Sequence, residues 1–264
     1  MTRTGKEDEY YIKTQNLSVG YDGKALIEEV NFSVKRGEVL TLIGPNGSGK
    51  STILKTIVGQ LKRIAGVVLL EGGDIRERTR NEIAKKMAIL MTERLQPELM
   101  TCRDMVSTGR YPYTGHLGLL SEEDKKIVED ALRQVDGLEI AERPFTAISD
   151  GQRQRILLAR ALSQQPEIII LDEPTSFLDI RYKLELLSIL KKMVREKNLA
   201  VIMSLHELDL AERVSDLVVC VNGDRIDKVG PPEEIFTSDY IARLYHMEPG
   251  RYDPCFDTLE FVPR

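Results

Sequence analysis

Residues 44 to 51 read Gly44-Pro45-Asn46-Gly47-Ser48-Gly49-Lys50-Ser51, and Thr52 follows. The octapeptide satisfies G-x-x-x-x-G-K-[ST], the phosphate-binding loop. A β-branched apolar run, Val39 to Ile43, leads into it, and a helix-competent stretch, Lys50 to Val58, leads out. The flanks matter because the pattern carries its chemistry only between a strand and a helix. Glycines at 44, 47 and 49 let successive N–H groups turn inward upon a phosphate chain. The positive end of the helix adds its attraction, Lys50 can reach the β- and γ-phosphates, and Ser51 offers a hydroxyl to Mg²⁺. A plain glycine-rich turn, the alternative, leaves the strand and helix unexplained. The stretch implies a nucleoside triphosphate site on an α/β fold of the P-loop NTPase type.

The bulk composition narrows the setting. The chain has 264 residues, 42% hydrophobic and 30% charged, with a net charge of −5. That size suits one large domain or a domain with a substantial subdomain. Lys and Arg are scattered among the acids rather than clustered, which argues against a nucleic-acid partner. Apolar runs such as Ile168 to Leu171 are far shorter than a membrane span, and no signal peptide is visible in Met1 to Tyr11. Cys102, Cys220 and Cys255 are far apart, form no zinc pattern and suit a reducing compartment. A cytoplasmic protein is expected, with any membrane role borrowed from a partner.

Along the chain, Tyr11 to Tyr21, Asn31 to Val34 and Glu38 to Ile43 read as strands, separated by turns at Asp22-Gly23 and Lys35-Arg36-Gly37. Another strand, Gly66 to Leu70, ends at Gly72-Gly73. Their short connections predict an antiparallel β-subdomain. From roughly 95 to 165 the periodicity turns helical, including Glu122 to Val135 and Gln152 to Leu162. Strand and helix then alternate: Glu167 to Leu171, Arg181 to Glu196, Leu199 to Ser204, Glu207 to Val214, Leu217 to Val221. This second half reads as a parallel α/β core with a helical subdomain inserted before it. One domain over 10–248 is expected, with a short tail at 249–264.

Ile168-Ile169-Ile170-Leu171-Asp172-Glu173 supplies the other half of the expected site. A buried apolar strand ends in two carboxylates, where open α/β sheets bind ligands. Asp172 is placed to hold Mg²⁺, and Glu173 to orient or deprotonate an attacking water.

At Ile148-Ser149-Asp150-Gly151-Gln152 the chain resembles the L-S-G-G-Q signature of the ATP-binding-cassette (ABC) family, and Arg153 to Leu162 continues the match. Pro174 to Asp179 is similar to that family's dimer-contact loop. His206 stands where the family carries its switch histidine, and Tyr21 where an aromatic ring stacks on adenine. The resemblance runs in order from residue 21 to about 230 and implies a RecA-like parallel-sheet core. It also implies ATP and Mg²⁺ as cofactors, Glu173 and His206 as catalytic residues, and Ser51, Asp172 and Thr92 as metal contacts. The implied nucleotide contacts are Tyr21, Gly44, Pro45, Asn46, Gly47, Ser48, Gly49, Lys50, Ser51, Thr52, Ser149, Gly151, Gln152 and Asp179. Bland readings stand beside these: Ser149 and Asp150 are good helix caps, His206 can be structural, and Tyr21 an ordinary strand aromatic.

Two departures stand out. Thr92 occupies the place of the family's coupling Gln, with Glu93 and Gln96 as nearby alternatives. Asp150 replaces a signature glycine, and its side chain is expected to point away and cap the helix. Within the family, Gly109-Arg110-Tyr111-Pro112-Tyr113, Thr175 to Glu185 and His206 to Ala211 resemble ATPases that energise uptake of iron-siderophore, haem and cobalamin complexes. That branch implies a second copy sandwiching two ATP molecules, transmembrane permease subunits, an extracytoplasmic substrate-binding protein, and a location on the inner face of the membrane. The rival is a soluble cassette ATPase of translation or DNA repair.

Overall fold

The computed structural model describes residues 10–91, 97, 99–115 and 118–248. In chain order its elements are β1 (Ile12–Tyr21), β2 (Lys24–Val34), β3 (Val39–Ile43), α1 (Lys50–Ile57), β4 (Ala65–Leu70), β5 (Gly73–Asp74), α2 (Arg80–Lys86), β6 (Met87–Leu90), α3 (Cys102–Ser107), α4 (Glu122–Gln134) and α5 (Asp150–Ser163). Then follow β7 (Ile168–Asp172), α6 (Ile180–Lys197), β8 (Ala200–Ser204), α7 (Leu208–Val214), β9 (Leu217–Asn222), β10 (Arg225–Gly230), α8 (Pro232–Ile235) and α9 (Ser238–Leu244). Two compact units divide the chain: Met1–Gly72 with Met203–Arg264, and Gly73–Ile202.

In the first unit β1 lies antiparallel between β2 and β4, with Ile12 opposite both Val34 and Leu70. Ile12, Leu17, Val19, Ile27, Val30 and Val34 are fully buried. Alternation breaks where the register shifts, and Asn16 and Glu29 turn to φ 45° and 52° there, the mark of bulges. β3 is buried along its whole length, as a strand covered on both faces must be. It pairs parallel with β9, Ile43 lying beside Cys220. The expected parallel pattern ends there, because β10 runs antiparallel to β9. Arg225 and Asp227 sit at its exposed alternate positions, and the half-buried Lys228, past a register shift, donates to Glu234 O at 2.8 Å.

In the second unit β6 and β7 pair parallel, Met87 beside Ile168 and Leu90 beside Leu171. Four helices begin in reciprocal capping boxes: Thr79 with Glu82, Thr101 with Asp104, Ser121 with Asp124, and Ser149 with Gln152. The segment Gly109 to Tyr113 locks these helices together. Arg110, 4% exposed, donates Nε–H to Asp124 Oδ1 at 2.8 Å and Nη1–H to Ser163 O at 2.8 Å and Gln165 Oε1 at 3.0 Å. Its guanidinium lies 4.0 Å from the centre of the Tyr113 ring, whose hydroxyl donates to Gln164 O at 3.1 Å. Gln164 in turn donates to Met87 O at 2.7 Å and to Ala84 O, tying the end of α5 to α2 and β6. The stretch therefore has a packing role of its own.

Candidate active site

In the first unit the loop Gly44 to Gly49 connects β3 to α1 as the sequence predicts. Gly49 is the N-cap of α1, and no side chain caps the helix. A helix N-terminus that follows a glycine-rich loop suits an anion, because the helix's positive end lies behind it. Ile53, Leu54 and Ile57 are fully buried, so the helix is held as rigid backing. Lys50 is 4% exposed and donates from Nζ to Gly44 O at 2.8 Å and Pro45 O at 3.0 Å. Its charge is therefore held inside the curl of the loop. Ser48 Oγ is buried without a hydrogen-bond partner in the structure. A buried unpaired hydroxyl at this place is a group built for a polar ligand.

Gly44 cannot be another residue without rearrangement, since an added Cβ would stand 2.0 Å from Val221 O. Its N–H donates to the Tyr245 hydroxyl at 3.0 Å, a partner that no motif in the sequence indicates. Tyr21 is 52% exposed, and its hydroxyl hydrogen-bonds Thr52 Oγ1 at 3.1 Å, beside Ser51. The hydroxyl is thereby brought to the loop's helix while about half of the residue stays exposed. His206 follows β8, and the neighbouring Leu205 N–H donates to Leu42 O at 3.2 Å, fixing its position beside β3.

In the second unit Ile168 to Leu171 are fully buried and Asp172, which ends β7, is 4% exposed. Glu173 leaves the strand in the left-handed region at φ 49°, accepting Ser176 N–H at its carbonyl at 3.1 Å and Ser176 Oγ–H at Oε2 at 3.2 Å. Such a turn re-aims the carboxylate away from the strand direction. Gln154 on α5 donates to Pro174 O at 3.0 Å and so joins the signature helix to the same turn.

Ser149 caps α5: Gln152 N–H donates to Ser149 Oγ at 3.3 Å and Ser149 N–H to Gln152 Oε1 at 3.1 Å. The expectation that Asp150 caps the helix is corrected, because Asp150 sits in the first turn and its Oδ1 pairs with Arg153 Nη1 at 3.3 Å. Ser149 already occupies the capping position, and a charge one residue further on finds its partner one turn along. Gly151 packs on the ring of Tyr182. Asp179 is the N-cap of α6, accepting from Tyr182 N–H at 3.2 Å. Thr92, Glu93 and Gln96 lie outside the described residues, as does the tail at 249–264.

Residues 27–176 match the family described as ABC transporter. The chain is 44% identical over 249 residues to the uncharacterized ABC transporter ATP-binding protein MJ0873 of Methanocaldococcus jannaschii, covering 94% of this chain and 86% of that one. It is 38% identical over 237 residues to the iron(3+)-hydroxamate import ATP-binding protein FhuC of Bacillus subtilis, covering 90% of this chain and 88% of the relative. Among solved structures, a transporter described as metal-chelate type, in an inward-facing conformation, superposes with a TM-score of 0.79 at 26% identity, covering 90% of this chain and 89% of its own. The loop of the phosphate-binding pattern, the buried strand ending in paired acids and these matches over most of the chain lead to one statement: the chain belongs to the ABC transporter family and is an ATP-hydrolysing subunit of it.

Proposed function

We propose that this ATPase energises the uptake of a metal chelate of the iron-siderophore, haem or cobalamin kind. The likeness to a hydroxamate-import subunit over nearly the full length of both chains carries this reading. The rival role in translation or DNA repair finds no support among the relatives named above. Among the described residues no helix is long and apolar enough to cross a membrane. The transport step therefore falls to permease partners, with a substrate-binding protein outside and this chain on the inner face of the membrane.

The nucleotide-contacting set is Gly44 to Thr52 with Tyr21 on the adenine. Ser51 and Asp172 supply a hydroxyl and a carboxylate, the oxygen donors that suit Mg²⁺ when phosphate oxygens and waters complete its shell. Bound there, the ion would neutralise charge on the β- and γ-phosphates. Glu173 orients the attacking water and accepts its proton, and His206 holds the γ-phosphate side of the site. Ser149, Gly151 and Gln152, with Asp179, face the nucleotide of a second copy. The exposure of Ser149, and of Phe177 at 79% and Ile180 at 62%, supports a partner surface there. Thr92 keeps its proposed role as a metal contact in place of the coupling Gln.

Capture of tagged Glu173→Gln from detergent-solubilised native membranes, with ATP and Mg²⁺, tests the reading. A many-spanning partner is expected, together with chelate-dependent stimulation of the wild-type ATPase in that complex. Recovery of only soluble proteins or ribosomes would refute it.

A further inference from the structure

The three constraints on Gly44 come from three different elements. Its carbonyl accepts from Lys50 Nζ on α1 at 2.8 Å, its Cα lies against Val221 O on β9, and its N–H donates to Tyr245 Oη at 3.0 Å. Only the last is made by a side chain that the loop's own motif does not contain. Gly44 adopts φ 146°, and both its N–H and its C=O are tied where the chain leaves β3 and begins to curl.

The end of α9 is built to deliver that hydroxyl. Ile241 and Leu244 are buried at 0% and 1% exposure and anchor the helix. Beyond it Met247 N–H donates to Ala242 O at 2.7 Å and His246 N–H to Arg243 O at 3.3 Å, with His246 left-handed at φ 55°. That pair of bonds is a Schellman closure, which fixes Tyr245 as the last residue before the turn. Burial pushes the Tyr245 phenol up to about 12, against the pull of the Gly44 N–H. The group therefore stays neutral at physiological pH and keeps a lone pair for the amide.

We propose that Tyr245 is a positioning residue of the phosphate loop, setting nucleotide affinity by holding the Gly44 amide from the C-terminal helix α9. The amide that begins the loop is thereby committed to Tyr245, and the donors after it are presented in a fixed curl. The ordering cost of the loop is met before the phosphate arrives, which is how preorganisation raises affinity. The proposal rests on the loop being the nucleotide site.

Tyr245→Phe keeps the ring and removes only the hydrogen bond. One bond of ordinary strength corresponds to about fivefold in affinity. Binding of ATP, ADP and inorganic tripolyphosphate is expected to weaken by about that factor, the KM for ATP to rise with it, and kcat to stay within about twofold. Tyr240→Phe is the matched control: it removes a hydrogen bond of 2.8 Å to Asp227 and a contact with Cys220 on β9 from the same helix, touches no residue of the loop, and should leave all three affinities unchanged. Unchanged affinities in Tyr245→Phe overturn the proposal, as does a fall in kcat at intact affinity or an equal loss in Tyr240→Phe. Lys50→Ala separates the two levels. If it weakens binding while Tyr245→Phe does not, only the role of Tyr245 fails. If neither does, the loop is not the phosphate site and both readings fail together.

Discussion

Gly151 lies flat against Tyr182: a Cβ added to Gly151 would meet ring atoms Cδ2 at 2.6 Å and Cγ at 2.7 Å. Cγ is the near end of the side chain, and the Tyr182 backbone is pinned by its bond to Asp179, so the ring has little room to retreat. Gly151→Ala is expected to cost about 1–3 kcal/mol by overpacking and to lower ATP turnover by tilting the start of α5. Tyr182→Leu in the same chain should return much of the stability. Thermal melts of the two single variants and the double variant measure the coupling, and strict additivity would contradict this account.

Arg110 is the second expected weak point. Arg110→Met leaves the buried Asp124 without its guanidinium, at a cost of about 3–5 kcal/mol. Arg110→Lys should recover little, since one ammonium cannot reproduce a planar fork that bonds Asp124, Ser163 and Gln165 together. Urea unfolding of the three proteins checks both statements.

The same pair predicts a pH dependence. The Ser121 hydroxyl above all, and then Arg110, hold the Asp124 carboxyl below its ordinary range, against the opposing effect of burial. A depressed folded-state pKa means the stabilisation is present above the unfolded-state value of about 3.9 and is lost as pH falls below it. Wild type should therefore lose stability steeply below about pH 4. Asp124→Asn, less stable at neutral pH, should show a shallower acid limb when melting temperature is followed against pH.

Lys50→Ala removes the buried cation from the loop and should weaken ATP binding by at least tenfold, read by calorimetry. Glu173→Gln keeps an acceptor for Ser176 and should bind ATP within about twofold of wild type. Its hydrolysis is expected to fall by about 10²–10⁴, the span of a lost general base. ATP-bound dimers should accumulate in size-exclusion runs. Hydrolysis at the normal rate would remove Glu173 from the water-activating role.

Much of this was legible from spacing. The loop at 44 to 51 was readable because strand, glycines and helix coincide within a few residues, and the acid pair because an unbroken apolar run precedes it. β2 was readable only from Asn31, since Lys24 to Val30 carries two adjacent glutamates and a bulge at Glu29 that break the alternation. β10 was missed for a similar reason, its charges masking a strand that needs only one covered face. α2 went unread although Thr79 and Glu82 form a capping box, a signal that was present. Gly109 to Tyr113 was read as a mark of the transport branch, and the buried bonds of Arg110 give the stretch a packing role as well. Tyr245 had no signal at all: a hydroxyl 201 positions from its partner is placed by the fold and by no local pattern.

The left-handed backbone of Glu173 has a consequence for directed evolution. A non-glycine residue there carries about 1–2 kcal/mol of strain, while glycine would add only about 0.5–1 kcal/mol of chain entropy to be lost on folding. A library screened for heat resistance would thus be drawn toward Glu173→Gly, a sturdier protein stripped of the carboxylate. With Glu173 in the proposed water-activating role, selection for ruggedness and selection for work pull in opposite directions here, and a survivor of the first needs a turnover assay before it is called improved.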